Sequence, residues 1–164
     1  MAGRACNVLF LCTGNSARSI VAEQLLNRAG GGRFRAFSAG SHPRGRVHPL
    51  ALDLLQELRL PVDGLRSKSW DEFAAPGAPV LDLVVTVCDQ AAAEACPLWP
   101  GAPITLHWSI PDPTAVEGPD MAQREAFRQL HRELESRIQA LAGLPVESLD
   151  REQLQEKLAA LARG

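Results

Sequence analysis

A short apolar strand that leads through a small polar loop directly into a helix is the feature that most constrains the fold of this chain. Residues 6–11 are apolar and few enough to form one buried strand, which the Thr-Gly-Asn at residues 13–15 brings to an end. Apolar side chains recur at helical spacing over residues 16–29, and the glycines at 30–32 are a typical helix stop. Strand, tight loop and helix in this order begin a βαβ unit, which predicts a parallel α/β sheet.

The rest of the chain continues this alternation. Further strands are predicted at residues 34–38, 80–87 and 104–108, and further helices at 49–58, 119–142 and 150–162. The nearly unbroken apolar run at 80–87 is typical of a central parallel strand buried on both faces. In a chain of 164 residues without a repeat or a flexible linker, we expect a single α/β domain over residues 1–164. We expect it to hold a four-stranded parallel sheet flanked by helices, with a C-terminal helical extension at about 144–164.

Charge and hydropathy exclude several classes of protein. The 17 Lys and Arg residues are balanced by 19 Asp and Glu residues, and the formal net charge of -2 gives no general attraction for nucleic acid. No segment approaches the roughly 20 apolar residues of a membrane span, and the apolar run at 8–11 is shorter than the ~7 to 15 residues of a signal peptide core. We therefore expect a cytoplasmic protein that binds neither nucleic acid nor membrane. A monomer is also expected, although neither charge nor hydropathy specifies the oligomeric state.

The four cysteines, Cys6, Cys12, Cys88 and Cys96, narrow the chemistry. In a reducing compartment they do not form a structural disulfide framework, so buried, metal-binding and catalytic roles remain. A structural zinc site is disfavoured because the chain has no C-x-x-C pair and seven residues separate Cys88 from Cys96. Cys6 begins the first predicted strand, at the end of the sheet away from Cys12, and we expect it to be a core residue.

The loop after the first strand is predicted to bind an oxyanion. It comprises eight residues: Cys12, Thr13, Gly14, Asn15, Ser16, Ala17, Arg18 and Ser19. Unpaired amides converge between a strand and a helix N-terminus, where the helix dipole favours an anion. The same groups, with Arg18 and the Ser19 hydroxyl, would stabilise the Cys12 thiolate as a nucleophile. The Arg18 fork can hold a tetrahedral oxyanion through two hydrogen bonds, and the absence of a Gly-Lys pair argues against a nucleotide-binding loop. The alternative is a buried strand-end cysteine beside an exposed arginine.

The run VLFLCTGNSARSIVAEQLL at residues 8–26 resembles the low-molecular-weight protein tyrosine phosphatase family, and specifically its arsenate reductase branch. The other matching segments are Ser38-Ala39-Gly40, Val85-Thr86-Val87-Cys88-Asp89, His107-Trp108 and Pro111-Asp112-Pro113. The resemblance implies a sheet with strand order 2-1-3-4. In the phosphatase branch a tyrosine typically follows the Asp-Pro pair, whereas Thr114 follows it here and the chain has no tyrosine.

The resemblance implies an oxidoreductase of arsenic detoxification that reduces arsenate to arsenite. Cys12 would attack arsenate held by Arg18 and the loop amides, and Asp112 would protonate the departing oxygen. Cys88 ends the third strand as Cys12 ends the first, and neighbouring strands would bring the two thiols into one pocket, where Cys88 resolves the adduct. Cys96 would then form an accessible disulfide with Cys88.

The reductant is expected to be a thiol protein, and no bound cofactor is expected. Thioredoxin suits an internal disulfide, although the interval from Cys88 to Cys96 is one residue longer than in thioredoxin-coupled members. Glutaredoxin or glutathione therefore remains an alternative. If the intervening residues were helical, eight steps of about 1.5 Å would separate the two Cα atoms by roughly 12 Å, beyond the ~7 Å limit for a disulfide. This distance predicts a redox-dependent change of order at residues 88–98.

Two other functions and one ion site stay open. The chain could be a phosphatase that hydrolyses phosphomonoesters through phospho-Cys12, or an oxyanion-binding regulator without turnover. Asn15, Glu23 and Ser38 match positions that bind potassium in some similar reductases, but the acidic ligand expected near Lys68 is missing and its ammonium is the alternative occupant. We also expect His107 to be a supporting residue near Asp112.

Overall fold

The computed structural model describes residues 4–89, 91, 99 and 101–163 and shows a parallel four-stranded sheet. The strands are β1 (Cys6–Cys12), β2 (Phe34–Gly40), β3 (Leu83–Thr86) and β4 (Ile104–His107), in the order β2-β1-β3-β4. The helices of the described residues are α1 (Arg18–Ala29), α2 (Pro49–Glu57), α3 (Asp120–Ala142) and α4 (Arg151–Arg163). Short 3-10 helices lie at Trp70–Phe73 and Pro113–Ala115. The predicted fold class and strand order are confirmed.

Strand β1 lies inside the sheet and pairs with a neighbour on each side. It runs beside β2 from the Cys6 to Phe34 pair to the Cys12 to Gly40 pair, and beside β3 up to Leu11 and Thr86. Alternate β1 side chains enter two separate apolar clusters, Val8 and Phe10 in one and Leu9 and Leu11 in the other. Both faces of the sheet are therefore buried, which explains the continuous apolar run of β1.

Strand β3 is shorter than the predicted strand at 80–87, and the Asp82 side chain has polar partners just before it begins. Its carboxylate accepts hydrogen bonds from the Asn7 amide (2.8 Å) and from the Arg4 guanidinium (2.6 and 2.7 Å) at the edge of the sheet. Val80, before it, is exposed. The apolar run therefore contains the strand, but its first residues lie outside the strand, although the Asp82 backbone still bonds the Asn7 carbonyl oxygen and the Ile104 amide (2.9 and 3.1 Å).

Helix α1 begins at Arg18, two residues later than predicted. Ala17 has a non-helical backbone (φ -139°, ψ -77°), and residues 16 and 17 still belong to the loop. The other predicted helices agree within one residue at each end. None of the helices in the described part of the chain is long and apolar enough to cross a membrane.

The C-terminal helix packs against the edge of the sheet. Leu154 and Leu158 of α4 are buried, and α4 contacts β4 and α3. Arg33 holds the segment between α3 and α4, because its guanidinium donates to the carbonyl oxygens of Ala142 and Leu144 (2.7 and 2.5 Å) and pairs with Glu147. These bonds satisfy carbonyls that a helix C-terminus leaves without partners.

Candidate active site

A cavity of about 430 Å³ opens where the carboxyl ends of β1 and β3 meet the N-terminus of α1. The predicted residues Cys12, Arg18, Cys88 and Asp112 all contribute to its wall. Parallel sheets bind ligands at this edge, outside the carboxyl ends of their strands. The fold therefore brings together four residues that three separate segments of the sequence supply.

The N-terminus of α1 faces this cavity without a side-chain cap. Ala17 precedes the helix and has no polar side-chain atom to offer its first amides. Ala17 and Arg18 both line the cavity. Unpaired amides and the positive end of the helix dipole therefore favour an anion bound there.

The Cys12 thiol is buried, and two groups contact its sulfur. The Asn15 amide donates to Sγ at 3.2 Å, and the Ser19 hydroxyl oxygen lies 2.9 Å from it. That hydroxyl oxygen also accepts a hydrogen bond from Asn15 Nδ2 (2.8 Å). Because a Cys12 thiolate can only accept, the Ser19 hydroxyl, held by Asn15, donates its proton to that thiolate. Both donors stabilise the thiolate.

Asn15 holds the centre of the anion-binding loop in a left-handed conformation (φ 45°). Its side chain is fully buried, and its Oδ1 accepts from the Lys68 amide at 2.9 Å. Asparagine tolerates this backbone region better than most residues. One side chain thus fixes the loop to the 66–69 segment and orients the Ser19 hydroxyl.

Gly40 allows the loop to lie directly on the end of β2. A Cβ atom at this position would be 2.5 Å from the Thr13 carbonyl oxygen and 3.0 Å from the Asn15 amide nitrogen. Real Cβ atoms do not approach backbone so closely, so any larger residue must displace the loop. The glycine of the Ser-Ala-Gly segment is therefore explained by close packing against the anion site.

Arg18 and Asp112 meet across the cavity. The Arg18 guanidinium donates to the Ile110 carbonyl oxygen (3.0 Å) and lies 3.7 Å from the Asp112 carboxylate. Burial raises the pKa of Asp112, but the Thr114 hydroxyl and amide hydrogen bonds (2.7 and 2.9 Å) and the charges of Arg18 and Arg44 lower it overall. Asp112 is therefore ionised at neutral pH when the cavity holds no anion.

Cys88 supplies a second buried thiol to the same cavity. Its sulfur lies 3.4 Å from the hydroxyl oxygen of Thr13, the residue next to Cys12, and 3.4 Å from the Ala91 amide. Cys96 lies outside the described residues, as do its predicted disulfide with Cys88 and most of the segment expected to change its order. Cys6 is buried at the far end of β1, where burial and the Asp82 charge raise its pKa to about 12.

His107 does not support Asp112 as expected. One ring nitrogen lies 2.8 Å from the Thr86 hydroxyl, and the other lies 2.8 Å from the carboxylate of Asp89, which also accepts from Ser109 (3.1 Å). The His107 and Ser109 hydrogen bonds lower the pKa of Asp89. His107 ends β4, the direct neighbour of β3. Its side chain therefore lies next to Asp89, the residue after Cys88.

The residues considered for a potassium site, Asn15, Glu23 and Ser38, lie beside Lys68. Lys68 Nζ donates to the Ser38 and Arg66 carbonyl oxygens (2.9 and 3.0 Å), and the Ser38 hydroxyl donates to the Glu23 carboxylate. Burial lowers the pKa of Lys68, whereas the nearby Glu23 raises it, and burial raises the pKa of Glu23. Because the Lys68 ammonium already binds the Ser38 carbonyl oxygen beside Glu23, this cluster does not fit a potassium ion.

The segment at residues 42–45, which the sequence pattern does not predict to belong to the site, covers the anion-binding loop. The backbone amides of His42 and Arg44 donate to the carbonyl oxygens of Thr13 (2.9 Å) and Gly14 (3.0 Å), and both residues line the cavity. Their only sequence signal is a basic residue shortly after the Ser-Ala-Gly segment. Nothing in that pattern specifies the long-range contact.

Known proteins resemble this chain over most of its length. The family model for low molecular weight phosphotyrosine protein phosphatase matches residues 7–157. An arsenate reductase of Halalkalibacterium halodurans is 35% identical over 135 residues, which cover 82% of this chain and 94% of that protein. The crystal structure of an arsenate reductase from Archaeoglobus fulgidus is similar with a TM-score of 0.65 and 30% identity, over 84% of this chain and 99% of that one.

A thioredoxin-dependent arsenate reductase from Corynebacterium glutamicum is also similar, with a TM-score of 0.57 and 28% identity over 85% of this chain and 64% of that one. The family model covers far more than half of the sequence, and the sheet order agrees with the resemblance found in the motifs. The chain therefore belongs to the low-molecular-weight phosphotyrosine protein phosphatase family, in which it is similar to arsenate reductases.

Proposed function

We propose that this protein is an arsenate reductase that works through a relay of cysteines. The observation that carries the proposal is the second thiol, Cys88, which lies beside Thr13 in the cavity that also holds Cys12. Hydrolysis of a phosphate ester needs one nucleophilic cysteine, whereas reduction of arsenate needs two thiols to supply two electrons. The similarity to arsenate reductases supports the same choice.

In the first step the Cys12 thiolate attacks arsenic(V) held by Arg18 and the amides of the anion-binding loop. An As–S bond forms and one As–O bond breaks, with the oxygen leaving as water. One proton of this water is already on arsenate, and the other is the proton lost by the Cys12 thiol. Asp112 is ionised in the free cavity, but a bound anion raises its proton affinity, so it can carry this proton to the leaving oxygen.

In the second step the Cys88 thiolate attacks the sulfur of the Cys12 adduct. An S–S bond forms, the As–S bond breaks, and its electron pair reduces arsenic(V) to arsenic(III), which leaves as arsenite. Two thiols are oxidised to one disulfide and arsenic gains two electrons, so the step is balanced. Phosphorus has no comparable lower oxidation state, and a phospho-cysteine can only be hydrolysed.

In the third step Cys96 attacks Cys88, releases Cys12 as a thiolate and leaves a Cys88–Cys96 disulfide for an external dithiol to reduce. The similarity to a thioredoxin-dependent reductase supports thioredoxin over glutaredoxin or glutathione. The lining of the cavity supports a small inorganic substrate, because His42 is the only aromatic residue among its described lining residues. Thr114 takes the place where a phosphatase typically has a tyrosine.

The test is arsenate-dependent oxidation of NADPH with thioredoxin and thioredoxin reductase, repeated with glutaredoxin and glutathione. Cys88→Ser should abolish turnover, whereas Cys6→Ala, which removes a buried thiol remote from the cavity, should retain it. Hydrolysis of an aryl phosphate should be slow and should survive Cys88→Ser. Arsenate turnover that survives Cys88→Ser, or phosphatase activity without any arsenate reduction, would contradict the proposal.

A further inference from the structure

We infer that Arg44 is a second oxyanion-binding residue, which joins Arg18 in holding a small tetrahedral anion in the cavity. This inference deepens the proposed function and rests on it for the identity of the substrate. Arg44 lies outside the loop that joins β1 to α1, in the segment between β2 and α2. Three features of the structure support a binding role for Arg44: the backbone of its segment, the surface of Gly14 and the charges of the cavity.

The backbone around Arg44 is fixed to the anion-binding loop. The Arg44 amide donates to the Gly14 carbonyl oxygen (3.0 Å), and the Gly45 amide donates to the Ser67 hydroxyl (3.1 Å). That hydroxyl donates in turn to the same Gly14 carbonyl oxygen (3.0 Å). The start of the Arg44 side chain is therefore held in a defined place above the loop, although the side chain itself is exposed.

The Arg44 side chain lies on the face of Gly14. A Cβ atom at Gly14 would be 3.0 Å from Arg44 Nε, 3.3 Å from Cγ and 3.4 Å from Cδ. Gly14 is not among the residues with positive φ, so its backbone conformation does not require glycine. The missing side chain leaves room for the guanidinium to lie along the loop toward the anion site.

The charges of the cavity favour a second cation for binding an anion. Its lining includes two carboxylates, Asp89 and Asp112, and Arg18 alone would leave the charged side chains negative in sum. Arg44 balances them, and the N-terminus of α1 then adds positive potential for an incoming anion. Burial raises the pKa of Asp112, and the Arg44 charge, after the Thr114 hydrogen bonds and Arg18, contributes to lowering it overall. After burial, the same charge also lowers the pKa of His48.

The inferred contact predicts a loss of anion affinity when the guanidinium is removed. A hydrogen bond to a charged partner contributes enough to change a dissociation constant by about tenfold or more. Arg44→Gln should therefore weaken anion binding by about tenfold, and Arg44→Lys, which keeps the charge but loses the planar fork, should weaken it less. Arg46→Gln is the matched control, because Arg46 is exposed in the same segment but does not line the cavity.

The experiment measures protection of Cys12 from iodoacetamide by inorganic phosphate at fixed ionic strength, with the modified peptide quantified by mass spectrometry. We expect the phosphate concentration for half-protection to rise about tenfold in Arg44→Gln and less than about twofold in Arg46→Gln. Equal effects of the two substitutions, or an unprotected wild-type protein, would overturn the assignment. Unchanged thermal unfolding of Arg44→Gln confirms that its fold is intact.

This assay requires no reduction of arsenic. Phosphate protection that depends on Arg44 in a protein that produces no arsenite would support the binding role of Arg44 and contradict the arsenate reductase. Arsenite production that is unaffected by Arg44→Gln at limiting arsenate would contradict Arg44 alone. The two proposals therefore fail separately.

Discussion

Replacement of Asn15 by alanine should disrupt the anion site through both its hydrogen bonds and its backbone. The side chain is fully buried, accepts from the Lys68 amide at 2.9 Å and donates to the Ser19 hydroxyl at 2.8 Å. Asn15→Ala leaves the Lys68 amide without that acceptor, at a cost of about 1–3 kcal/mol, and removes a second bond worth about 1 kcal/mol. A left-handed φ of 45° adds about 1 kcal/mol for alanine.

These contributions predict that Asn15→Ala lowers the free energy of unfolding by about 3–5 kcal/mol, measured by urea denaturation. Asn15→Gly should be about 1 kcal/mol more stable than Asn15→Ala, because glycine adopts a positive φ without a clash. In both variants the Ser19 hydroxyl is no longer oriented toward Cys12. Cys12 alkylation should therefore be slower and phosphate protection weaker by about tenfold or more.

Asn27→Ala provides the control, since Asn27 also makes two side-chain hydrogen bonds, to the amide and carbonyl of Ala36 (2.9 and 3.2 Å), but at the other end of α1. It should lose some stability and keep wild-type phosphate protection. A loss below about 1 kcal/mol in Asn15→Ala, or an Asn15→Gly variant less stable than Asn15→Ala, would refute the roles assigned to the side chain and to the backbone, respectively.

Three further substitutions test other parts of the structure. Gly40→Ala places a methyl group 2.5 Å from the Thr13 carbonyl oxygen, so phosphate protection of Cys12 should be lost, whereas Gly143→Ala, with its nearest contact at 3.4 Å, should keep it. The folded pKa of Glu23 is raised, mainly by burial, so the folded protein binds more protons than the unfolded chain and its stability falls as pH rises from 4.5 through the folded pKa. Urea denaturation across this pH range should show a smaller fall in the free energy of unfolding for Glu23→Gln than for the wild type. Equal slopes of that free energy against pH would contradict the raised pKa of Glu23. Arg33→Gln removes the bonds that hold the segment between α3 and α4 and should lower the urea midpoint. Phosphate protection of Cys12 should not change. Weaker protection in this variant would contradict a purely structural role for Arg33.

Most of the fold could be predicted because its determinants are local. The apolar run of β1 and the helical spacing of α1 are both written in consecutive residues, and the order of the strands followed from the family resemblance. The ends of elements were less predictable. The apolar run at 80–87 does not show that Asp82 binds Arg4 and the Asn7 amide at the sheet edge, because these partners are remote in sequence.

The candidate site could likewise be predicted where its residues are close in sequence, and not where they depend on long-range packing. Cys12 and Arg18 lie in one loop, so a single segment specifies their contact with a common anion. Cys88 and Asp112 were placed by the strand ends and the resemblance, and the structure brings both to the cavity. Arg44 was missed because its position depends on the packing of one loop on another, and the partner of His107 was wrong because it depends on the neighbour of β4.

The burial of the two thiols places a requirement on the complete reaction. Cys12 and Cys88 are each only 3% exposed, so a disulfide between them would lie beneath the surface that a protein reductant can reach. Thiol–disulfide exchange needs direct attack of one sulfur on another. Among the described residues the remaining thiol is Cys6, which is 2% exposed and at the opposite end of β1. In the proposed relay, electrons from a protein donor would therefore enter through Cys96, whereas a small thiol that fits the cavity could reach the buried disulfide without it.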